Sequence, residues 1–157
     1  VQEDDLNNAQ SVGNNEDGSI NQHIATGNLS ALVSVGSDEP LTFSLNPNTA
    51  GLPNLTSKGE AIGYSVMGDT LTASAGMRTI FTLTVQPNGD YTFTLIDQLD
   101  HPAGNGENLL EINFGSILQA RDFDQDFVTF NANSFVIQVE DDVPVLSGNT
   151  LQATVQE

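Results

Sequence analysis

The stretch TIFTLTVQPNGDYTFTL, residues 79–95, alternates apolar and polar side chains around an Asn-Gly pair. Every second residue from Phe81 to Val85 is apolar, and the same period returns in residues 91–95. This alternation is typical of a strand with one buried face. Residues 87–90 read Pro-Asn-Gly-Asp, which favours a tight turn between two strands. The stretch therefore predicts an antiparallel β-hairpin.

Similar short runs, rich in β-branched and aromatic residues, recur along the chain between Gly, Asn and Pro. Only residues 116–120 would suit a helical turn. Regularly spaced short strands predict an all-β protein, a sandwich or a barrel of antiparallel strands. The further predicted strands are residues 41–45, 61–66, 70–73, 109–114, 127–130 and 134–139.

The composition limits the partners of this chain. Its 157 residues suit one domain, and 3 Lys and Arg against 21 Asp and Glu leave a net charge of −18. Nucleic acids and anionic membrane surfaces attract clustered Lys and Arg, so we expect neither as a partner. The longest apolar runs have only a few residues, as in 135–137, so we expect no membrane-inserted segment.

The sequence also argues against catalysis. Cysteine is absent, which excludes a disulfide scaffold, a thiolate zinc site and a Cys nucleophile. No G-x-S-x-G, Walker or H-E-x-x-H motif is present. Carboxylate pairs of the glycosidase kind carry no specificity in so acidic a chain. We therefore expect a protein that is not an enzyme, in which bound cations replace the missing disulfides as staples.

The two ends of the chain differ from the middle. Residues 4–18 are rich in Asn, Asp, Glu and Gly, which predicts an acidic linker. The chain opens with VQEDD, its last strong strand closes with VEDD at 139–142, and residues 155–157 read VQE again. This recurrence predicts one unit of a tandem array, although chance recurrence is an alternative in so acidic a chain. We expect a linker or junction over residues 1–18, a β-sandwich repeat over 19–145, and the next linker or strand over 146–157. The start at Val1 rather than Met indicates a piece of a longer protein.

The alternating carboxylates Asp122, Asp124 and Asp126 form the sharpest local feature. Carboxylates at alternate positions converge on one hard cation when the backbone turns through a loop, and Ca²⁺ takes six to eight oxygen ligands. Phe127 replaces the glycine of an EF-hand loop, so an EF-hand is excluded. The alternative interpretation is a solvated acidic turn.

Two further acidic groups are candidate calcium ligands. The first lies at the predicted junctions, where the alternative is a solubilising linker. The second lies between residues 97 and 107 and would complete a site with the loop 122–126; its glycine-rich part favours a long hairpin loop over a calcium-binding β-roll repeat. The acidic pairs 16–17 and 38–39 are expected to be surface charge, and His23 and His101 are expected in surface or loop positions. The candidate ligands are Glu3, Asp4, Asp5, Glu140, Asp141 and Asp142 in the first group and Asp97, Asp100 and Glu107 in the second.

Several stretches together resemble the long tandem repeat of giant type I-secreted RTX adhesins. The resemblance covers roughly residues 29–145. It implies an immunoglobulin-like or cadherin-like β-sandwich with calcium-binding loops, in which Asp122, Asp124 and Asp126 are ligands. Gln125 departs from the family pattern, which often has Gly there. The stretches are LVS at 32–34 with LTFSL at 41–45, GDTLTA at 68–73, NGDYTFTL at 88–95, LDHP at 99–102, GEN at 106–108, residues 120–126, and VEDDVP at 139–144.

The resemblance also implies a function, an extender arm on the surface of a Gram-negative cell. The chain lacks a C-terminal nonapeptide array and a secretion signal, as an internal repeat would. We expect an extracellular biofilm adhesin repeat that Ca²⁺ rigidifies, with neighbouring repeats as its partners and a monomeric isolated domain. The alternative is a sugar- or protein-binding module of the same adhesin, which would need an exposed aromatic platform or an open calcium site.

Overall fold

The computed structural model describes residues 1–15, 17–34, 36, 39–104, 106–128, 130–146 and 150–153. These residues form twelve β-strands and three short 3₁₀ turns, at Ser30–Leu32, Gly115–Ile117 and Ala132–Ser134. The all-β class predicted from the sequence is confirmed. Within the described ranges, the chain has no helix of the length and apolar character that crossing a membrane requires.

The strands form antiparallel sheets. One sheet has five strands in the order β1-β8-β7-β6-β5, and a second has the order β11-β10-β2. Two strand pairs, β12-β9 and β3-β4, complete the arrangement, which is consistent with a β-sandwich. The bounds are β1 Ile24–Asn28, β2 Thr42–Leu45, β3 Thr56–Ser57, β4 Glu60–Ala61, β5 Gly63–Met67, β6 Thr70–Ala75, β7 Arg78–Val85, β8 Asp90–Leu95, β9 Leu109–Asn113, β10 Leu118–Arg121, β11 Phe127–Val128 and β12 Val136–Glu140.

Three phenylalanines lie at the centre of the core. Phe81 and Phe93 come from adjacent strands of the five-stranded sheet, and their ring centroids are 5.1 Å apart. Phe114, which follows β9, lies 6.0 Å from both rings. All three side chains are fully buried. These contacts join the five-stranded sheet to the β9–β12 pair, because aromatic rings bury a large apolar area and favour tilted packing at this spacing.

The predicted hairpin is confirmed as β7 and β8. Val85 pairs with Tyr91, and the intervening turn includes Gly89. Gly89 has a φ of +89°, and a Cβ atom there would lie 2.9 Å from the ring of Phe43. Glycine is therefore required at this position both for the backbone conformation and for the close approach of β2.

The other predicted strands are found with shifted ends, and β1, β3 and β10 were not predicted as strands. Residues 116–120, expected as a helical turn, instead span the end of a 3₁₀ turn and most of β10. β1 was missed because it is an exposed strand at the edge of the sheet and has little apolar alternation. Its pairing with β8, from Ile24–Thr94 to Asn28–Asp90, defines it.

The N-terminal segment packs against the sheets, unlike the linker predicted for residues 1–18. Gln2 forms a parallel bridge with Glu140 in β12, and its backbone N–H donates to Gln22. Leu6 is only 1% exposed and belongs to the core. An apolar anchor therefore holds the segment despite its polar composition. We call residues 1–22 the N-terminal strap.

The predicted C-terminal segment, 146–157, is described only in part. The VQE recurrence at 155–157 lies outside the described residues, and so does Thr129 within the predicted strand 127–130.

Candidate cation sites

Four carboxylate side chains are buried among the described residues: those of Glu3, Asp4, Asp5 and Asp97. Burying a carboxylate away from water is costly unless hydrogen bonds or an opposite charge compensate it. With only 3 Lys and Arg in the chain, the partners of each buried acid decide its role.

Asp97 is neutralised by side chains of the protein itself. Its Oδ1 accepts a hydrogen bond from Lys58 Nζ at 2.8 Å, and its Oδ2 accepts one from Arg78. The backbone N–H of Gln98 also donates to Oδ1 at 2.9 Å. Burial favours the neutral acid, but the hydrogen bonds from Lys58 and Arg78 outweigh it and lower the pKa of Asp97. The carboxylate is therefore part of a structural network that we call the Asp97 network.

Asp100 caps the turn between β3 and β4. Its carboxylate accepts hydrogen bonds from the backbone N–H groups of Lys58, at 2.7 Å, and Gly59, at 2.8 Å. A hydrogen bond from Thr56, together with these two, lowers the pKa of Asp100. The sequence hypothesis had placed Asp97 and Asp100 with the loop 122–126. In the structure both contact the β3–β4 turn, and neither joins the carboxylate group of that loop.

The loop 122–126 does bring its three aspartates together. One oxygen from each of Asp122, Asp124 and Asp126 lies within 4.8 Å of the others. The backbone N–H of Asp126 donates to Asp122 Oδ1 at 2.8 Å, and Gln125 turns the chain with a φ of +76°. A hydrogen bond to Asp122 and the charges of Asp122 and Asp126 raise the pKa of Asp124. The loop thus concentrates negative charge at an exposed surface.

A second acidic group forms where the strap meets the end of β12. The backbone N–H of Glu3 donates to the carbonyl of Glu140 at 3.1 Å, and that of Asp141 donates to Asn108 at 3.0 Å. A cavity of about 30 Å³ lies in this region, close to the volume of one water molecule. We call it the acidic cavity. Its lining residues are Gln2, Asp4, Asp17, Glu107, Glu140 and Asp141.

The acidic cavity unites predicted ligands from both ends of the chain. Asp4, Glu140 and Asp141 were all predicted from the junction pattern. Glu107 was assigned to the loop 122–126, but it lines this cavity instead. Asp17 was expected to be surface charge, because nothing in its local sequence shows that the strap folds back toward β12.

The remaining predicted junction ligands lie close to this cavity in sequence. Asp5 holds the strap in place, since its Oδ2 accepts hydrogen bonds from the Gln22 backbone N–H and from Ser19 Oγ. Asp142 follows the cavity residues and is partly buried.

Glu3 contacts His101 beside the acidic cavity. Glu3 Oε1 accepts a hydrogen bond from the backbone N–H of Leu99 at 2.7 Å and lies 3.3 Å from His101 Nε2. The His101 side chain is 3% exposed. One ligand atom each of Glu3, His101 and Asp141 lies within 4.8 Å of the others. We call these residues the Glu3–His101–Asp141 triad. Sequence reasoning missed it because Glu3 and His101 are 98 residues apart.

The pKa values of Glu3 and His101 are both raised in the triad. Burial raises the pKa of Glu3, and the hydrogen bonds from His101 and Leu99 only partly oppose it. Burial lowers the pKa of His101, but the hydrogen bond to Glu3 and the charges of Glu3 and Asp141 outweigh it and raise that pKa. Both groups therefore hold protons more tightly in the folded protein.

The basic side chains contact other regions. Lys58 and Arg78 bind Asp97. Arg121 stacks on the ring of Phe127, 4.1 Å from its centroid, and donates to Gln125. The described Lys and Arg contacts therefore serve the Asp97 network and the surface beside the loop 122–126. Carboxylate, amide and carbonyl oxygens, as in the acidic cavity, are the ligands that hard divalent cations prefer.

No family model, curated protein or solved structure shows significant similarity to this chain.

Proposed function

We propose that this chain is a calcium-stabilised extender repeat of a bacterial cell-surface RTX adhesin, with an immunoglobulin-like or cadherin-like sandwich. The observation that carries the proposal is the acidic cavity, in which Asp4 and Asp17 of the strap meet Glu140 and Asp141 at the end of β12. The resemblance of residues 29–145 to adhesin repeats supports the cellular setting, outside a Gram-negative cell and among neighbouring repeats.

The lining of the acidic cavity matches the chemistry of Ca²⁺. Five acidic residues and Gln2 line a space of about 30 Å³. Ca²⁺ takes oxygen ligands at roughly 2.3–2.6 Å and tolerates irregular geometry. Without a cation, these carboxylates repel one another. A bound ion would replace that repulsion with attraction between the strap, the loop that carries Glu107 and the end of β12.

This position explains how an ion would stiffen an array. The strap enters beside β12, and the chain leaves through Asp142 and Pro144 directly after the cavity residues. Proline restricts the residue before it to extended geometry, so the exit is short and stiff. An ion held by Asp4 and Glu140 would fix entry and exit relative to one another, which limits hinging between repeats.

Calcium-dependent unfolding tests the proposal. At a free Ca²⁺ concentration 100 times the Kd of one site, we expect stabilisation by about 2.7 kcal/mol over protein in chelator. Urea unfolding in Ca²⁺, in Mg²⁺ and in EDTA measures this difference. Equal midpoints in Ca²⁺ and EDTA would contradict the proposal.

A matched pair of variants locates the effect. Glu140→Gln keeps the shape of a cavity residue but removes its charge, so we expect it to lose most of the Ca²⁺ stabilisation. In EDTA the same variant should be neutral or slightly stabilising, because it removes one of several like charges. Glu111→Gln, an exposed position on β9, is the control and should keep the full response. Small-angle scattering of two units in tandem should then show a longer, stiffer particle in Ca²⁺ than in EDTA.

A second candidate function is recognition of a sugar or a protein by the loop 122–126. Phe123 is 72% exposed and Phe127 is 58% exposed, next to the three aspartates of that loop. A cation there with open positions would accept sugar hydroxyls, and the rings would stack on a sugar face. Calcium-dependent binding on a glycan array, abolished by Phe123→Ala, would favour this function.

A further inference from the structure

We infer that the Glu3–His101–Asp141 triad, which adjoins the acidic cavity and shares Asp141 with it, is a binding site for a borderline divalent metal ion such as Zn²⁺. The inference rests on the identity and geometry of its three ligands. It does not depend on the proposed adhesin function.

Three segments that are distant in sequence supply the ligands. Glu3 comes from the strap, His101 from the loop after β8, and Asp141 from the residue after β12. Their ligand atoms lie within 4.8 Å of one another, and the side chains of Glu3 and His101 are 5% and 3% exposed. The burial of the Glu3 and His101 side chains distinguishes the triad from the exposed aspartates of the loop 122–126.

The imidazole of His101 favours Zn²⁺ and similar transition metals over Ca²⁺ and Mg²⁺. Ca²⁺ and Mg²⁺ bind oxygen ligands, whereas Zn²⁺ and its first-row neighbours bind histidine nitrogen together with carboxylate oxygen. Bonds of about 2.0–2.1 Å in a tetrahedral site place two ligand atoms about 3.3 Å apart. His101 Nε2 and Glu3 Oε1 are separated by 3.3 Å. An ion can therefore bridge these two atoms with little movement of either side chain.

Backbone hydrogen bonds hold the ligands in place. Leu99 N–H donates to Glu3 Oε1, and the backbone N–H of Asp141 donates to Asn108. Glu3 is also held by its own N–H, which donates to Glu140. Two carboxylates and a neutral imidazole carry two negative charges, which one divalent ion neutralises. A fourth position is left for water, as in sites with three protein ligands.

Co²⁺ and Zn²⁺ titrations of the whole chain test the inference. In Ca²⁺-free buffer after treatment with chelator and dialysis, Co²⁺ should give the intense visible bands of a tetrahedral site. Zn²⁺ should displace Co²⁺ and bind with one-to-one stoichiometry in calorimetry. We expect His101→Gln to weaken Zn²⁺ binding at least tenfold, and His23→Gln, the control, to leave it unchanged.

A second variant tests direct coordination. His101→Cys introduces the only thiol of the chain, so a Co²⁺ complex should gain a sulfur-to-metal charge-transfer band. Tetrahedral Co²⁺ bands in the wild type, together with this new band, would support the site even if His101→Gln folds poorly.

Three results would overturn the inference. They are an absence of tetrahedral Co²⁺ bands, an unchanged Zn²⁺ affinity in folded His101→Gln, and a loss of binding in Asp124→Asn, which would place the ion in the exposed loop. Because Asp141 belongs to both sites, Ca²⁺ stabilisation is measured on samples free of Zn²⁺ and Co²⁺, where it reports on the adhesin proposal. Either can fail while the other stands.

Discussion

The Asp97 network and the acidic cavity each include a buried carboxylate, Asp97 in one and Asp4 in the other, but the groups around them differ. Lys58 and Arg78 contact Asp97 directly, so its charge is balanced within the fold. The acidic cavity gathers Asp4, Glu140 and other acids of the same sign. A buried ion pair is stable only with close partners, and removing one partner leaves an uncompensated charge.

This difference separates two sources of stability. The Asp97 network should contribute equally in any solution near neutral pH, because its counter-charges belong to the chain. The acidic cavity should contribute according to the cations that the solution supplies. We therefore propose that the Asp97 network is constitutively stable and that the stability of the acidic cavity depends on bound cations.

The largest predicted loss of stability comes from removing the carboxylate of the Asp97 network. Asp97→Ala removes the partner of two cationic side chains and the acceptor of the Gln98 N–H. Because Lys58 and Arg78 are partly exposed and reach water, we expect a loss of about 3 kcal/mol, at the lower end for a broken buried pair. Urea unfolding should give the same loss in Ca²⁺ and in EDTA. The exposed turn variant Asp69→Ala should change stability by less than about 0.5 kcal/mol. A loss that appears in only one of the two solutions would contradict the comparison.

The pH dependence of the free energy of unfolding, measured in EDTA, should distinguish the Glu3–His101–Asp141 triad from the Asp97 network. The pKa of Glu3 is raised above 4.5 and that of His101 above 6.5, so both groups bind more protons when folded. Stability should therefore increase as the pH falls from 8 toward 5. The pKa of Asp97 is lowered below 3.8, so its contribution is present above pH 3.8 and is lost as the pH falls through the folded value.

Urea unfolding across this pH range measures both effects. The upper limb is the rise in stability as the pH falls from 8 toward 5, and the lower limb is the loss of stability below pH 3.8. His101→Gln should flatten the upper limb only, and Asp97→Asn should flatten the lower limb only. A chelated protein whose stability rises steadily from pH 5 to pH 8 would contradict the assignment of the upper limb to the triad.

The smallest predicted effect concerns the turn of the loop 122–126. Gln125 has a φ of +76°, a conformation that costs an L-residue about 1 kcal/mol and glycine nothing. Glycine also adds entropy to the unfolded chain, so we expect Gln125→Gly to stabilise the protein by only about 0.5 kcal/mol. Thermal unfolding in EDTA measures it. Gln119→Gly, inside β10, should instead destabilise, and stabilisation by both variants would argue against backbone strain as the cause.

The elements predicted from sequence are those with local causes. The alternation of residues 79–95 and the turn at Gly89 specify a hairpin without help from the rest of the chain. The loop 122–126 likewise draws its three aspartates together through bonds between near neighbours, such as Asp126 N–H to Asp122. β1 was not predicted, because its pairing with β8, and not an alternation of apolar residues in its own sequence, makes it a strand.

The sequence by itself determined the β class, the hairpin and the excess of negative charge, since these follow from residue type and short-range periodicity. Only the tertiary structure decided what each carboxylate does. Asp97 contacts Lys58 across 39 residues, and Glu3 contacts His101 across 98. Whether a buried acid meets a cation, a histidine or other acids depends on which strands lie side by side, because electrostatic interactions act through space and not along the chain.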